Sequence, residues 1–318
     1  MKRILIPLDG SSLSEAAMPF GAALARAAGA AVELIHVVEM PALLDLPTST
    51  LIPDPARVRD YLHDAAARQI PGVEVEVDVR SGDAVDELLA HATEEPGTMV
   101  VMATHGRGGL GRLVLGSVAD KVVRLSTVPV GLIRPVEDGA PVQRDISSIA
   151  VALDGSETAE LGLALAVDLA RSAGATLHLV EVAEPLWTSP WIASSPEMLA
   201  VNANQMAELD LLAQEDARTY LAATADRLRA EAPDLQVDVV MRVGRAAEEI
   251  DRAATEADAD VVVVTSHGRG GFERLVRGSV TSRLIQFGTH ALIVVPARAA
   301  TSATADAGAE SDGEEGGR

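Results

Sequence analysis

No cysteine occurs among the 318 residues, so disulfides, thiolate nucleophiles and cysteine-ligated metal sites are excluded. Aromatic residues make up 2% of a chain that is 48% apolar. Its cores must therefore be built from Val, Leu, Ile and Ala, which suits parallel sheet flanked by alanine-rich helices. Lysine is scarce too: Lys2 and Lys121 stand alone, and nearly all positive charge is arginine. The 26 basic residues face 47 acidic ones, a net charge of −21. That balance argues against a non-specific nucleic-acid partner, which requires a cationic face to replace counterions. No stretch approaches the length of an apolar membrane span, and the chain opens directly on a strand-like run, Met1–Leu8. The expectation is a cytoplasmic protein without a membrane partner.

What the chain does contain, it contains twice. THGRGGLGRLVLGS, from Thr104 to Ser117, returns as SHGRGGFERLVRGS, from Ser266 to Ser279, with ten of fourteen positions identical and an offset of 162. The opening KRILIPLDGSSLSEAA, from Lys2, returns as SSIAVALDGSETAELG, from Ser147, at an offset of 145; AGAAVELIHVVE and AGATLHLVEVAE share that offset. Gly82 stands opposite Gly244 at 162, so the second copy carries 17 extra residues, which we place within Pro185–Arg218, a span holding Trp187 and Trp191. A repeat on this scale is a duplicated domain. The expected division is a first domain over 1–136, a polar linker over 137–146, a second domain over 147–297, and a disordered acidic tail over 298–318.

Each copy alternates strand and helix. In the first, strands are expected at Ile4–Leu8, Val32–Val38, Val73–Val79, Thr98–Ala103 and Val128–Ile133. Helices are expected at Ser12–Ala28, opened by the capping box Ser12-x-x-Glu15, and at Ala56–Gln69, Asp83–Thr93 and Gly116–Leu125. Acidic alternation in Val73–Val79 marks a strand near a sheet edge. Strict βα order gives the fold class: α/β, two tandem doubly wound domains, each with a five-stranded parallel sheet.

In such a sheet, ligands bind beyond the carboxyl ends of the strands. The glycine stretch lies there, between the Thr98–Ala103 strand and the helix starting near Gly116. Glycines let backbone approach a ligand, and the helix start adds N–H donors and a hydroxyl at Ser117, the parts of a phosphate cradle. Arg107, Arg112, Arg269 and Arg274 add cations. A flexible connector is the plainer reading, but the pattern survives twice among diverged surroundings. It is neither a P-loop nor a dinucleotide fingerprint. Asp9 and Asp154, each in LDGS, are either turn aspartates or acceptors for a ribose or base. His105 and His267 read as loop-ordering side chains, since no second histidine or carboxylate sits at dyad or metal-pair spacing.

These residues resemble the universal stress protein family in tandem form, over nearly the whole chain. The family's nucleotide-binding members carry G-x2-G-x9-G-[ST]; here stand Ala103-x2-Gly106-x9-Gly116-Ser117 and Thr265-x2-Gly268-x9-Gly278-Ser279, with the first glycine replaced in both. Pro7 matches at the end of the first strand, where the second copy has Ala152. The resemblance implies ATP with Mg2+: phosphates on Gly106, Arg107, Gly109, Gly116, Ser117 and Val118, ribose near Asp9, adenine against Val37. In the second copy it implies Gly268, Arg269, Gly271, Gly278, Ser279, Val280, Asp154 and Val182, with Thr265 adding bulk where close approach is expected. It also implies pairing of Val128–Ile133 with Ala291–Val295, and a homodimer beyond that. The loop has no clear nucleophile or base, so a nucleotide-binding stress-response module leads. The alternatives are a weak ATP hydrolase or nucleotidyl transferase on the same fold, and a nucleotide-free dimeric scaffold.

Overall fold

The computed structural model describes residues 1–39, 54–104, 115–134, 145–185, 203–266 and 279–297. The first half runs β1 (Arg3–Pro7), α1 (Ser12–Glu15), α2 (Ala17–Ala28), β2 (Ala31–Val38), α3 (Pro55–Gln69), β3 (Val75–Ser81), α4 (Ala84–Glu94), β4 (Thr98–Ala103), α5 (Ser117–Leu125) and β5 (Val130–Ile133). The second runs β6 (Ser148–Leu153), α6 (Glu157–Ala173), β7 (Thr176–Ala183), α7 (Ala203–Glu231), β8 (Val237–Val243), α8 (Ala246–Glu256), β9 (Val261–Thr265), α9 (Ser279–Phe287) and β10 (Ala291–Val295).

All ten strands form one sheet in the order β3-β2-β1-β4-β5-β10-β9-β6-β7-β8. Within each half every pairing is parallel; the halves meet where β5 and β10 pair antiparallel, Val130 opposite Val294, Gly131 opposite Ile293 and Leu132 opposite Leu292. This is the strand pairing the family resemblance implies. It leaves β3 and β8 as the outer edges, and the acidic alternation of Val75–Ser81 falls on one of them. The central strands β1, β4, β6 and β9 read as nearly continuous apolar runs because helices cover both faces.

Each face carries one helical layer with its own core. On one side α2, α3, α6 and α7 cover Ile4, Ile6, Val101, Val151 and Val263; on the other α4, α5, α8 and α9 cover Leu5, Val100, Val130, Leu132, Leu292 and Val294. Both cores cross the seam between halves. In α3, Pro55 sits in the first turn behind the Asp54 cap, and Val58, Leu62, Ala65 and Ala66 make the buried stripe at helical spacing. In α7, Ala217, Leu221, Ala225 and Leu228 do the same over its later part.

Two expectations change. The Ser12-x-x-Glu15 capping box is displaced by one residue: Ser11 is the N-cap, accepting from the Ser14 N–H, and Glu15 turns inward instead of back to the cap. The growth of the second copy also comes in two steps. The offset is 145 at Ala31 and Thr176, 159 at Tyr61 and Tyr220, and 162 at Val75 and Val237. Three of the extra residues thus lie after Arg227, beyond Pro185–Arg218, in the last turn of α7. The linker from 137 to 144, Trp187, Trp191 and the acidic tail fall outside the described residues. No helix among those described is long and apolar enough to cross a membrane.

Candidate functional site

Strand order reverses between β1 and β4, and between β6 and β9, which opens a crevice at their carboxyl ends. Pro7 closes β1, and Asp9 follows at the mouth. Asp9 Oδ1 accepts from the Ser11 N–H at 2.9 Å and from its hydroxyl at 2.5 Å; Asp154 Oδ1 accepts from Ser156 at 3.1 and 2.6 Å. The glycine between them turns the chain with positive φ, 82° at Gly10 and 70° at Gly155, where a side chain is strained. Both aspartates therefore build the turn. That turn also fixes the N-cap serine of the next helix, Ser11 or Ser156, so one carboxylate oxygen orders the whole β-to-α connection.

Across the crevice, Ala103 ends β4, and Thr104 is buried at the base of the glycine loop. The Thr104 N–H donates to the Ile133 carbonyl at 2.9 Å, and the Gly116 N–H donates to the Thr104 carbonyl at 2.7 Å. This pins both ends of the loop. Gly116 is then the N-cap of α5, and no side chain among the described residues caps it. The other helices opening at this rim are treated differently: α1 is capped by Ser11 and α4 by Asp83. Ser117 and Val118 thus begin a helix whose first-turn N–H groups and positive dipole end meet no capping side chain among the described residues. Val37 and Val118 both lie half-buried against the core under α4 and α5, on one face of the sheet.

The second half repeats the frame. Ser266 N–H donates to the Val295 carbonyl at 2.9 Å, and Val182 and Val280 pack on the equivalent face. Thr265 takes the place of Ala103. Its γ-methyl lies where a Cβ on Gly162 of α6 would come within 3.2 Å, and its carbonyl accepts from the Thr281 hydroxyl at 2.8 Å. The γ-methyl is thus packed against the helix layer at α6. Gly106, Arg107, Gly109, Gly268, Arg269, Gly271 and Gly278 lie outside the described residues, as do His105, Arg112, His267 and Arg274.

Sequence reasoning missed a polar triad behind each aspartate turn. Tyr61 donates to Glu15 at 3.1 Å, with Arg68 at 3.2 Å from the same carboxylate; Tyr220 donates to Glu160 at 2.7 Å, with Arg227 at 2.8 Å. These are the chain's two tyrosines. Burial, then the neighbouring carboxylate, pushes both phenols above their ordinary value, so each stays a donor. The signal was available: Glu15 and Glu160 share the 145 offset, and the Tyr and Arg pairs share 159.

A second cluster lies toward the amino ends of the strands. Arg3 Nη1 donates to Glu33 at 2.8 Å, His91 Nε2 donates to the same carboxylate at 2.7 Å, and Arg80 donates to His91 Nδ1 at 2.6 Å. Hydrogen bonds from Arg80 hold the Glu94 carboxyl down to about 2. Glu33, Asp78 and His91 are close enough to share a cation, yet two guanidiniums already neutralise them. We read an ion-pair network that ties α4 to the sheet. The second half replaces Arg3 with Ser148 and His91 with Ala253. A concavity of about 530 Å³ beside Arg26, Gly29 and Glu74 also opens at the amino ends, away from the loop.

Comparison with known proteins agrees with this geometry. The model of the universal stress protein family matches residues 1–134 and again 146–296. Universal stress protein Rv2005c of Mycobacterium tuberculosis is 28% identical over 296 residues, covering 89% of this chain and 92% of its own. A universal stress protein of Mycolicibacterium smegmatis is 28% identical over 312 residues, covering 93% and 97%. Among solved structures, a putative universal stress protein from Pseudomonas aeruginosa superposes with a TM-score of 0.61 at 17% identity, over 96% of this chain and 98% of that one.

Proposed function

Since the chain belongs to the universal stress protein family, we propose that it is a cytoplasmic module that binds ATP with magnesium at the carboxyl ends of β1 and β4, and again at β6 and β9. In this reading the bound state, rather than a chemical step, is its output. The observation that carries the proposal is the start of α5. It lies at the reversal of strand order, it is pinned to the base of a glycine-rich loop, and glycine stands there in place of a capping side chain. Such a helix start favours an anion with several oxygens. Ser117 and the phosphates themselves are the oxygen donors available to magnesium. Asp9 stands at the mouth for the ribose, and Val37 gives the adenine an apolar wall. The same parts recur at Ser279, Val280, Asp154 and Val182.

The test begins with freshly purified protein, denatured so that any released nucleotide can be identified and counted per chain. Adenine nucleotide near one or two per chain supports the reading. Gly116→Glu, which sets a carboxylate at the cradle, should abolish binding at the first site with little change in the unfolding midpoint. An empty protein that also ignores added ATP and magnesium, or unchanged affinity in Gly116→Glu, would overturn it.

A further inference from the structure

One side chain of the first half reaches the helix that begins the second candidate site. Arg134 follows β5 in the first half, and its guanidinium reaches across the seam to the end of α9 in the second. Its Nη2 donates to the carbonyls of Ile285 at 3.1 Å and Gln286 at 2.9 Å. Its Nε is buried without an acceptor among the described residues. A helix leaves its last carbonyls unpaired and its negative dipole end exposed, and a cation placed there meets both needs. α9 has no basic residue in its own last turn, whereas α5 has Arg124. The first half thus supplies the charge that α9 lacks. At the 162 offset the residue equivalent to Arg134 is Pro296, which carries no cation for a matching contact.

Arg134 is also one peptide bond from the first site. Its neighbour Ile133 accepts from Thr104, and Thr104 accepts from Gly116, the cap of α5. Packed, hydrogen-bonded groups therefore run from the first cradle through Thr104, Ile133 and Arg134 to the carboxyl end of α9. The other end of α9, Ser279, begins the second cradle. α9 is nine residues long, about 13 Å at 1.5 Å per residue, so a shift at one end moves the other as a rigid piece.

We propose that Arg134 is a positioning residue for the second nucleotide site and the element that couples the two sites, so that filling the first raises the affinity of the second. This rests on the nucleotide reading above. Coupling between binding equilibria is reciprocal, so the second site must raise the first by the same factor although the link is built from one side. Arg134 then distinguishes the sites in addition to Thr265.

The experiment titrates ATP with magnesium into the full chain by calorimetry, alone and with one site blocked by Gly116→Glu or Ser279→Glu, each with Arg134, Arg134→Lys or Arg134→Met. Wild type should bind two nucleotides with positive coupling. In the chain blocked at the first site, Arg134→Met should weaken the remaining affinity about tenfold, a typical coupling magnitude, and Arg134→Lys should restore part of it. In the chain blocked at the second site, the same variants should leave affinity within about twofold. A purely structural role would weaken both sites alike. Two independent, unaltered sites in Arg134→Met would overturn the coupling while leaving the nucleotide reading intact. A wild-type chain that binds no nucleotide overturns both. Should Arg134→Met fail to fold, Arg134→Lys decides alone, since losing the planar fork must still weaken the second site selectively.

Discussion

Thr265 and Gly162 exchange volume with Ala103 and Ala17, their counterparts in the first half. One methyl leaves the helix and another enters from the strand. Alanine in a helix interior is worth about 1 kcal/mol over glycine, but at position 162 crowding against Thr265 should offset that gain. In a chain that also carries Thr265→Ala, Gly162→Ala should deliver it in full. Urea unfolding of the four chains measures the coupling, expected at about 1 kcal/mol; strict additivity would show that the side chains do not compete. At this scale the sequence was half legible. The aspartates and the glycine stretch were visible because duplication preserved them at one offset each. The packing of the Thr265 γ-methyl against Gly162 of α6 was not legible, because it depends on which helix covers β9. Tyr61 and Glu15 are 46 residues apart, and only the packing of α3 beside α1 makes them partners.

Helix starts show how a local motif loses to a tertiary contact. SSLSE offers two registers, Ser11 capping Ser14 or Ser12 capping Glu15. The chain takes the first because Glu15 is drawn to Tyr61, Arg68 and Gln69 inside the fold. Ser11→Ala should therefore cost about 1 kcal/mol, the usual loss of a capping hydroxyl, while Ser12→Ala should cost only a few tenths. Chemical denaturation of the two variants checks this, and equal losses would restore the register read from the motif. Strands were more legible than caps: β4 falls at Thr98–Ala103 as expected, and the others differ by a residue or two at their ends. Apolar runs buried on both faces carry a strong signal, whereas a cap turns on one side chain's choice of partner. The 29 residues of α7 were harder to place, since only the later part packs on the sheet.

The described residues form a single sheet with two cores, and each core includes residues from both halves. Gly131 of β5, beside the seam, is packed by Val101 of β4 and by Phe20 of α2. Neither half can open there without exposing apolar surface of the other. Heat should accordingly unfold the chain in one cooperative transition, with calorimetric and van't Hoff enthalpies in agreement; two resolved peaks would mean that the seam contributes little. The antiparallel pairing of β5 with β10 has one more consequence. It turns the second half end over end, so the two candidate sites open on opposite rims of the sheet. No flat partner surface can touch both at once. On the nucleotide reading proposed above, the chain would present two binding sites, one at each rim. A partner with a single contact surface would be bridged into pairs rather than bound more tightly. Avidity would arise only for partners that are themselves linked by a tether long enough to reach around the sheet.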